Sequence, residues 1–220
     1  GAGDAAYGAH LRAARRVAES DRVAFNPLFL HGGVGLGKTH LLQAIGLRMR
    51  ELHPERRVLY LTADRFRSLF QQALQDRRMV EFKEQYRSVD LLLIDDLQFV
   101  SRPGATQDEF FHTLNALTDN SRQVVAAADR PPAALEGMSE SLRSRLAGGL
   151  VFEIQSPDAG LRLAILKSLA EREKFNCEAG VLEFLAQRVD SNTRELEGAL
   201  KSVVMHNARP ELPLSLEAAQ

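Results

Sequence analysis

The residues that most constrain this chain are Phe29-Leu30-His31-Gly32-Gly33-Val34-Gly35-Leu36-Gly37-Lys38-Thr39-His40. The apolar run from Leu28 to Leu30 reads as a short buried strand, and Leu41, Leu42, Ile45, Met49 and Leu52 then recur at helical spacing. Between them Gly32, Gly37, Lys38 and Thr39 satisfy G-x-x-x-x-G-K-S/T in the strand–loop–helix setting that this pattern requires. Glycines let successive backbone N–H groups curl around phosphate oxygens at the positive end of a helix. The candidate nucleotide cradle is therefore Gly32, Gly33, Val34, Gly35, Leu36, Gly37, Lys38, Thr39 and His40. Lys38 would reach the β- and γ-phosphates of ATP or ADP, and the Thr39 hydroxyl would help hold Mg²⁺. A glycine-rich turn that binds nothing is the competing reading, and the full match in its proper context weighs against it.

Downstream, strands and helices alternate. His53-Pro54 closes the helix after the glycine loop, because proline disfavours helical backbone in the residue before it. Val58 to Thr62 is a second strand, and Leu91-Leu92-Leu93-Ile94 is apolar throughout, as a strand covered on both faces must be. Strands over Gln123 to Ala128 and Leu150 to Ile154 complete five, with helices over Gln107 to Asp119 and Ser139 to Leu146. A further helix is expected over Ala9 to Ala18, with Arg12, Arg15 and Arg16 on its solvent side. Two helical series, Phe66-to-Leu74 and Met79-to-Val89, lie between the second and third strands, more than a minimal crossover needs, so 63–87 reads as an insertion. After Ser156-Pro157-Asp158 only helical series follow, anchored by Leu161, Leu182 and Leu196. The expectation is an α/β domain, 1–156, with a parallel five-stranded sheet flanked by helices, followed by a small helical domain, 157–220.

Composition excludes several classes. With 45% hydrophobic and 26% charged residues the chain of 220 is an ordinary globular protein. A net charge of −1 carries no global basic excess, so nucleic-acid binding has to rest on a local patch. A single cysteine, Cys177, rules out an internal disulfide and a cysteine metal cluster. It reads as a packing residue and fits a reducing cytosol, and neither a signal peptide nor an apolar run of about 18 residues is present. The expected location is cytoplasmic, without a membrane span, although lipid contact stays open. The start at Gly1 without Met suggests an excised segment.

The second site element is Asp95-Asp96, at the end of the apolar third strand. A P-loop NTPase needs a carboxylate at such a strand tip to orient Mg²⁺, and Asp95 sits there with Thr39 as its partner. Asp96 stands where many ATPases place a glutamate that polarises the attacking water. Being one methylene shorter, it predicts slow hydrolysis. Asp129, ending the next strand, is a candidate for orienting water at the γ-phosphate, with equal weight for a turn-capping role before Pro131-Pro132. Arg143 and Arg145 suit charge neutralisation across a subunit boundary, or simply form a solvated helix face. Arg194 opens a helix against the helix dipole, which suggests another anionic partner. The six histidines lack metal-ligand spacing and read as structural.

In this order the elements resemble the AAA+ domain of the DnaA family of bacterial chromosomal replication initiators. The carriers are Asn26-Pro27-Leu28 with the glycine loop, Tyr86-Arg87-Ser88-Val89-Asp90, Leu93-Ile94-Asp95-Asp96-Leu97-Gln98-Phe99, Glu109-Phe110-Phe111-His112-Thr113-Leu114-Asn115-Ala116-Leu117 and Arg194-Glu195-Leu196-Glu197-Gly198-Ala199-Leu200. The resemblance implies a slow ATPase that, in its ATP state, assembles with itself into a filament on origin DNA and opens the duplex. Helicase and initiator-regulating proteins would be further partners. Carried over by position, Arg145 is similar to an arginine finger, Arg194 to a lid sensor, Asp129 to a sensor at the γ-phosphate and Arg87 to an inter-subunit contact. Gln71, Arg87 and Arg102 are the candidate contacts to single-stranded DNA or a neighbouring subunit. The chain departs from the family pattern in Ser101-Arg102-Pro103-Gly104-Ala105-Thr106, where only Arg102 is basic, and in Ser141, Ala147-Gly148 and Asp4 to Tyr7. Two other readings compete: a stand-alone AAA+ regulator that binds the initiator and stimulates its hydrolysis, and a small-molecule P-loop kinase. The first would end near Gln220, whereas an initiator would continue into a helix-turn-helix domain that reads duplex DNA.

Overall fold

A computed structural model describes residues 2–206 except 21, 24, 101 and 102, and the side chains of residues 2–10, 179 and 206 fall outside that description. Arg102 and the side chains of Asp4 to Tyr7 thus lie outside the described residues. Helix α1 (Ala2–Glu19) precedes β1 (Leu28–His31), and α2 (Lys38–Leu52) leads to β2 (Val58–Thr62). Helices α3 (Ala63–Gln75) and α4 (Met79–Arg87) precede β3 (Leu91–Asp95), α5 (Ala105–Asp119) precedes β4 (Gln123–Ala128), and α6 (Glu140–Ala147) precedes β5 (Leu150–Glu153). Then come α7 (Ala159–Glu173), α8 (Ala179–Arg188) and α9 (Thr193–His206). Helix α1 starts earlier than its apolar stripe suggests, because the alanines before it favour helix without contributing to the stripe.

The strands form one sheet in the order β2-β3-β4-β1-β5, and every neighbouring pair is parallel. The central strands β3 and β4 are buried along their whole length, the reason that their sequences lack polar alternation. Because all strands run the same way, His31, Asp95 and Ala128 end on a common sheet edge. The turns that enter the strands lie on the opposite edge.

The insertion is held by aromatic rings. Phe66 of α3 packs edge-to-face with Phe82 at 5.4 Å, Tyr86 at 5.8 Å and Phe110 at 5.5 Å, tying α3 and α4 to α5. Thr62 caps α3 by accepting from the Arg65 N–H, so β2 turns directly into the insertion.

The chain divides into two compact units, Gly1–Gly33 with Gly37–Ile154, and Val34–Leu36 with Gln155–Gln220. The second has its own apolar core, in which Leu166, Val181, Leu196 and Leu200 are fully buried. Cys177 packs against that core half-buried, and burial pushes its thiol pKa up, away from the reactive thiolate. Three residues of the glycine loop group with this unit, where the Thr193 N–H donates to the Gly35 carbonyl at 3.1 Å. No helix among the described residues is long and apolar enough to cross a membrane.

Candidate nucleotide site

The glycine loop leaves β1 under tight steric control. A Cβ on Gly32 would stand 2.4 Å from the Ile154 carbonyl oxygen, because β5 runs alongside β1 and the Ile154 N–H donates to His31 O at 2.6 Å. Only a residue without a side chain fits there. Gly37, at φ 92°, takes the left-handed conformation that starts α2, so the first turn of that helix presents Lys38, Thr39 and His40 together. Lys38 is buried to 8% exposure, and its ammonium donates to the carbonyls of Gly32 and Gly33, each at 2.7 Å. The cation is thus centred in the curl of the loop, while the residues Thr39 and His40 are exposed. His31, just before the loop, has its pKa lowered by burial, partly offset by the neighbouring Glu153 carboxylate.

Asp95, 1% exposed, is where the strands meet the loop. Its Oδ2 accepts from Thr39 Oγ1 at 2.6 Å and from Tyr60 OH at 3.1 Å, and its Oδ1 accepts from the Asp96 N–H at 2.9 Å. Tyr60 comes from β2, whose Thr62 pairs in register with Asp95. Burial first, and then the Asp95 charge, pushes the Tyr60 phenol up to about 12. The phenol therefore stays a neutral donor to Asp95. Tyr60 is a residue that sequence reasoning missed, since periodicity in β2 says nothing of which cross-strand group its hydroxyl meets.

Asp96 adopts φ 54°, and the 3₁₀ turn Leu97–Val100 follows it. Its Oδ1 accepts from Gln98 Nε2 at 3.1 Å. Asp129, at the end of β4, gives its carboxylate to Arg130, whose Nε and Nη2 each donate at 2.9 Å. That pairing, outweighing partial burial, holds the Asp129 carboxyl below the usual carboxylate range. Asp95, Asp96 and Asp129 thus share the sheet edge that also carries the loop.

Arg145 stands elsewhere. Its Nη2 donates to Thr118 Oγ1 and Asp119 Oδ1, at the C-terminal end of α5 just before β4 begins. That is the opposite sheet edge, separated from the loop by the length of β4, whose 6 residues span about 20 Å at about 3.3 Å each. Arg145 therefore lies out of reach of the glycine loop of its own chain. Its Nε is buried without a hydrogen-bond partner, as is that of Arg87. Arg87 pairs through Nη2 with the buried Glu109 of the same chain at 2.6 Å. Arg194 is exposed in the first turn of α9 and makes no hydrogen bond or ion pair among the described residues. Asn192 caps that helix by accepting from the Glu195 N–H at 2.9 Å. Gln71 is exposed on α3.

Known proteins share the sequence and fold of this chain. Residues 2–153 match the sequence model of the bacterial DnaA ATPase domain. The chain is 52% identical over 193 residues to the chromosomal replication initiator protein DnaA of Roseobacter denitrificans, which covers 86% of this chain and 42% of that protein. It superposes on domain III of the Thermotoga maritima replication initiation protein DnaA with a TM-score of 0.88 at 38% identity, covering 100% of this chain and 90% of that one. On a replication initiator DnaA bound to AMPPCP and single-stranded DNA the TM-score is 0.77 at 36% identity, over 93% of this chain and 61% of that one. The chain spans less than half the length of the curated relatives that it matches. By its sheet order, its glycine loop and this likeness, the chain belongs to the family of bacterial DnaA ATPase domains.

Proposed function

We propose that this chain binds ATP or ADP with Mg²⁺ and hydrolyses ATP slowly, as the AAA+ core of a replication initiator. In its ATP state it would oligomerise on origin DNA and promote duplex opening. The observation that carries the reading is the junction of Lys38, Thr39 and Asp95 on one sheet edge, with Thr39 Oγ1 2.6 Å from Asp95 Oδ2. A relative of the same fold binds AMPPCP and single-stranded DNA.

Two hard oxygens side by side suit Mg²⁺, which takes one or two protein oxygens and completes its shell with phosphate and water. Thr39 and Asp95 would hold it, and it would supply neutralisation of charge on the β- and γ-phosphates. The backbone of Gly32 to Thr39 would cradle the phosphates and Lys38 would bind their outer oxygens. Asp96 would orient the attacking water, with Asp129 beside it on the next strand. Being shorter than a glutamate, Asp96 makes this a timer. Arg194 would report on the γ-phosphate from the helical lid, 157–220.

Arg145 would complete the site of the next subunit, since its own site lies about 20 Å away along the sheet. Gln71, Arg87 and Arg102 are proposed contacts to single-stranded DNA or a neighbour. Helicase and initiator regulators would dock on the assembled form. Sizing the full-length protein with ATP, ADP and a non-hydrolysable analogue, with and without oligo-dT, tests the reading. Assembly is expected with ATP or the analogue and not with ADP, and to be lost in Lys38→Ala. No assembly with the analogue and DNA would sink the switch.

A further inference from the structure

Gln98 lies in the turn Leu97–Val100 and uses both ends of its amide. Its Nε2 donates to Asp96 Oδ1 at 3.1 Å, and its Oε1 accepts from the Asp129 N–H at 3.3 Å. The orientation of the amide is fixed by its partners. A backbone N–H can only donate and an ionised carboxylate can only accept, so oxygen must face β4 and nitrogen must face Asp96.

The backbone is shaped for this contact. Asp96 sits at φ 54°, a conformation that aspartate tolerates but most side chains avoid. Its carbonyl accepts from the Phe99 N–H at 3.0 Å, which closes the turn and brings position 98 back over position 96. A carboxylate at an open strand tip would otherwise sample several rotamers. The Asp129 carboxylate is held by Arg130, so the tie to β4 runs through the Asp129 backbone.

We propose that Gln98 is a positioning residue for ATP hydrolysis: it holds the Asp96 carboxylate in one orientation and fixes that carboxylate to the tip of β4. The proposal rests on the reading that Asp96 orients the attacking water. No other side chain of this length provides a donor at one end and an acceptor at the other. Glutamate has two acceptors when ionised, and methionine has no comparable donor.

The test uses the full-length protein, with turnover and ATP affinity measured separately. Gln98→Met is expected to lower kcat about tenfold, the scale of one lost orienting contact, with ATP affinity unchanged. Gln98→Glu is expected to be as slow at about pH 8 and to recover relative to wild type toward about pH 6, where a protonated carboxyl beside Asp96 can donate again. A packing role would not produce that recovery. Asp96→Asn separates the two layers of the claim. If Asp96→Asn keeps wild-type turnover, the underlying reading of Asp96 fails. If Asp96→Asn is slow and Gln98→Met turns over normally, Gln98 has no positioning role. A slow Gln98→Met with no pH-dependent recovery in Gln98→Glu also overturns the proposal.

Discussion

Gln107, in the first turn of α5, is 3% exposed and joins three segments of the first unit. Its Nε2 donates to Val100 O at 3.1 Å and Gly137 O at 3.2 Å, and its Oε1 accepts from the Ser139 N–H at 2.8 Å. Ser139 caps α6, the helix that carries Arg145. The side chain thus connects the turn after Asp95-Asp96 with the start of α6. Gln107→Leu keeps nearly the same volume and opens no cavity, so its cost is polar. Three hydrogen bonds at about 1 kcal/mol each give about 3 kcal/mol. The orphaned Val100 carbonyl adds about 1 kcal/mol, and the greater hydrophobicity of leucine returns about as much. The expected destabilisation is about 3 kcal/mol, a fall in Tm of roughly 6–12 °C for a unit of this size. Urea unfolding followed by circular dichroism, with a parallel thermal scan, measures it. A loss below about 1 kcal/mol would refute the claim that this buried amide is what joins the segments.

Other expectations follow from the same structure. Phe66→Ala should cost about 3–5 kcal/mol in urea unfolding, because Phe66 is fully buried at the centre of the rings holding the insertion; a cost below about 1.5 kcal/mol would mean that the insertion is not anchored there. Arg145→Ala should leave ATP affinity of dilute monomer unchanged and lower assembly-dependent hydrolysis by about 10³-fold or more; altered monomer affinity would contradict its place on the far sheet edge. Tyr60 ionises at about 12 in the fold against about 10 when unfolded. Its stabilisation is therefore complete below about pH 10 and lost as pH rises toward about 12. Tyr60→Phe should flatten the alkaline limb of the stability profile, and an unchanged limb would remove the Tyr60–Asp95 contact from the account.

Much of the fold is legible along the chain because its signals are local. The apolar run at Leu91 to Ile94 requires a buried strand, and the stripe through Phe66, Phe70 and Ala73 requires a helix, whatever their neighbours. Gly32, Gly37, Lys38 and Thr39 work through one strand–turn–helix, so their spacing can be read directly. Asp95 is legible for a similar reason, since a strand tip is a place defined by sequence. Arg87 is different, because its ion pair is with Glu109, 22 residues away. No periodicity encodes that pairing.

The sequence by itself determined that the chain alternates strand and helix, that a phosphate-binding loop follows β1, and that acidic residues end β3 and β4. Tertiary structure alone decided the order β2-β3-β4-β1-β5. That order brings Tyr60 and Thr39 onto one oxygen of Asp95, lets Gln98 reach across to Asp129, and puts Arg145 on the edge away from its own loop. The physical reason is range. Propensity, capping and hydrophobic period act over a few residues, whereas a hydrogen bond between strands depends on which strands are neighbours, and burial of the whole sheet sets that.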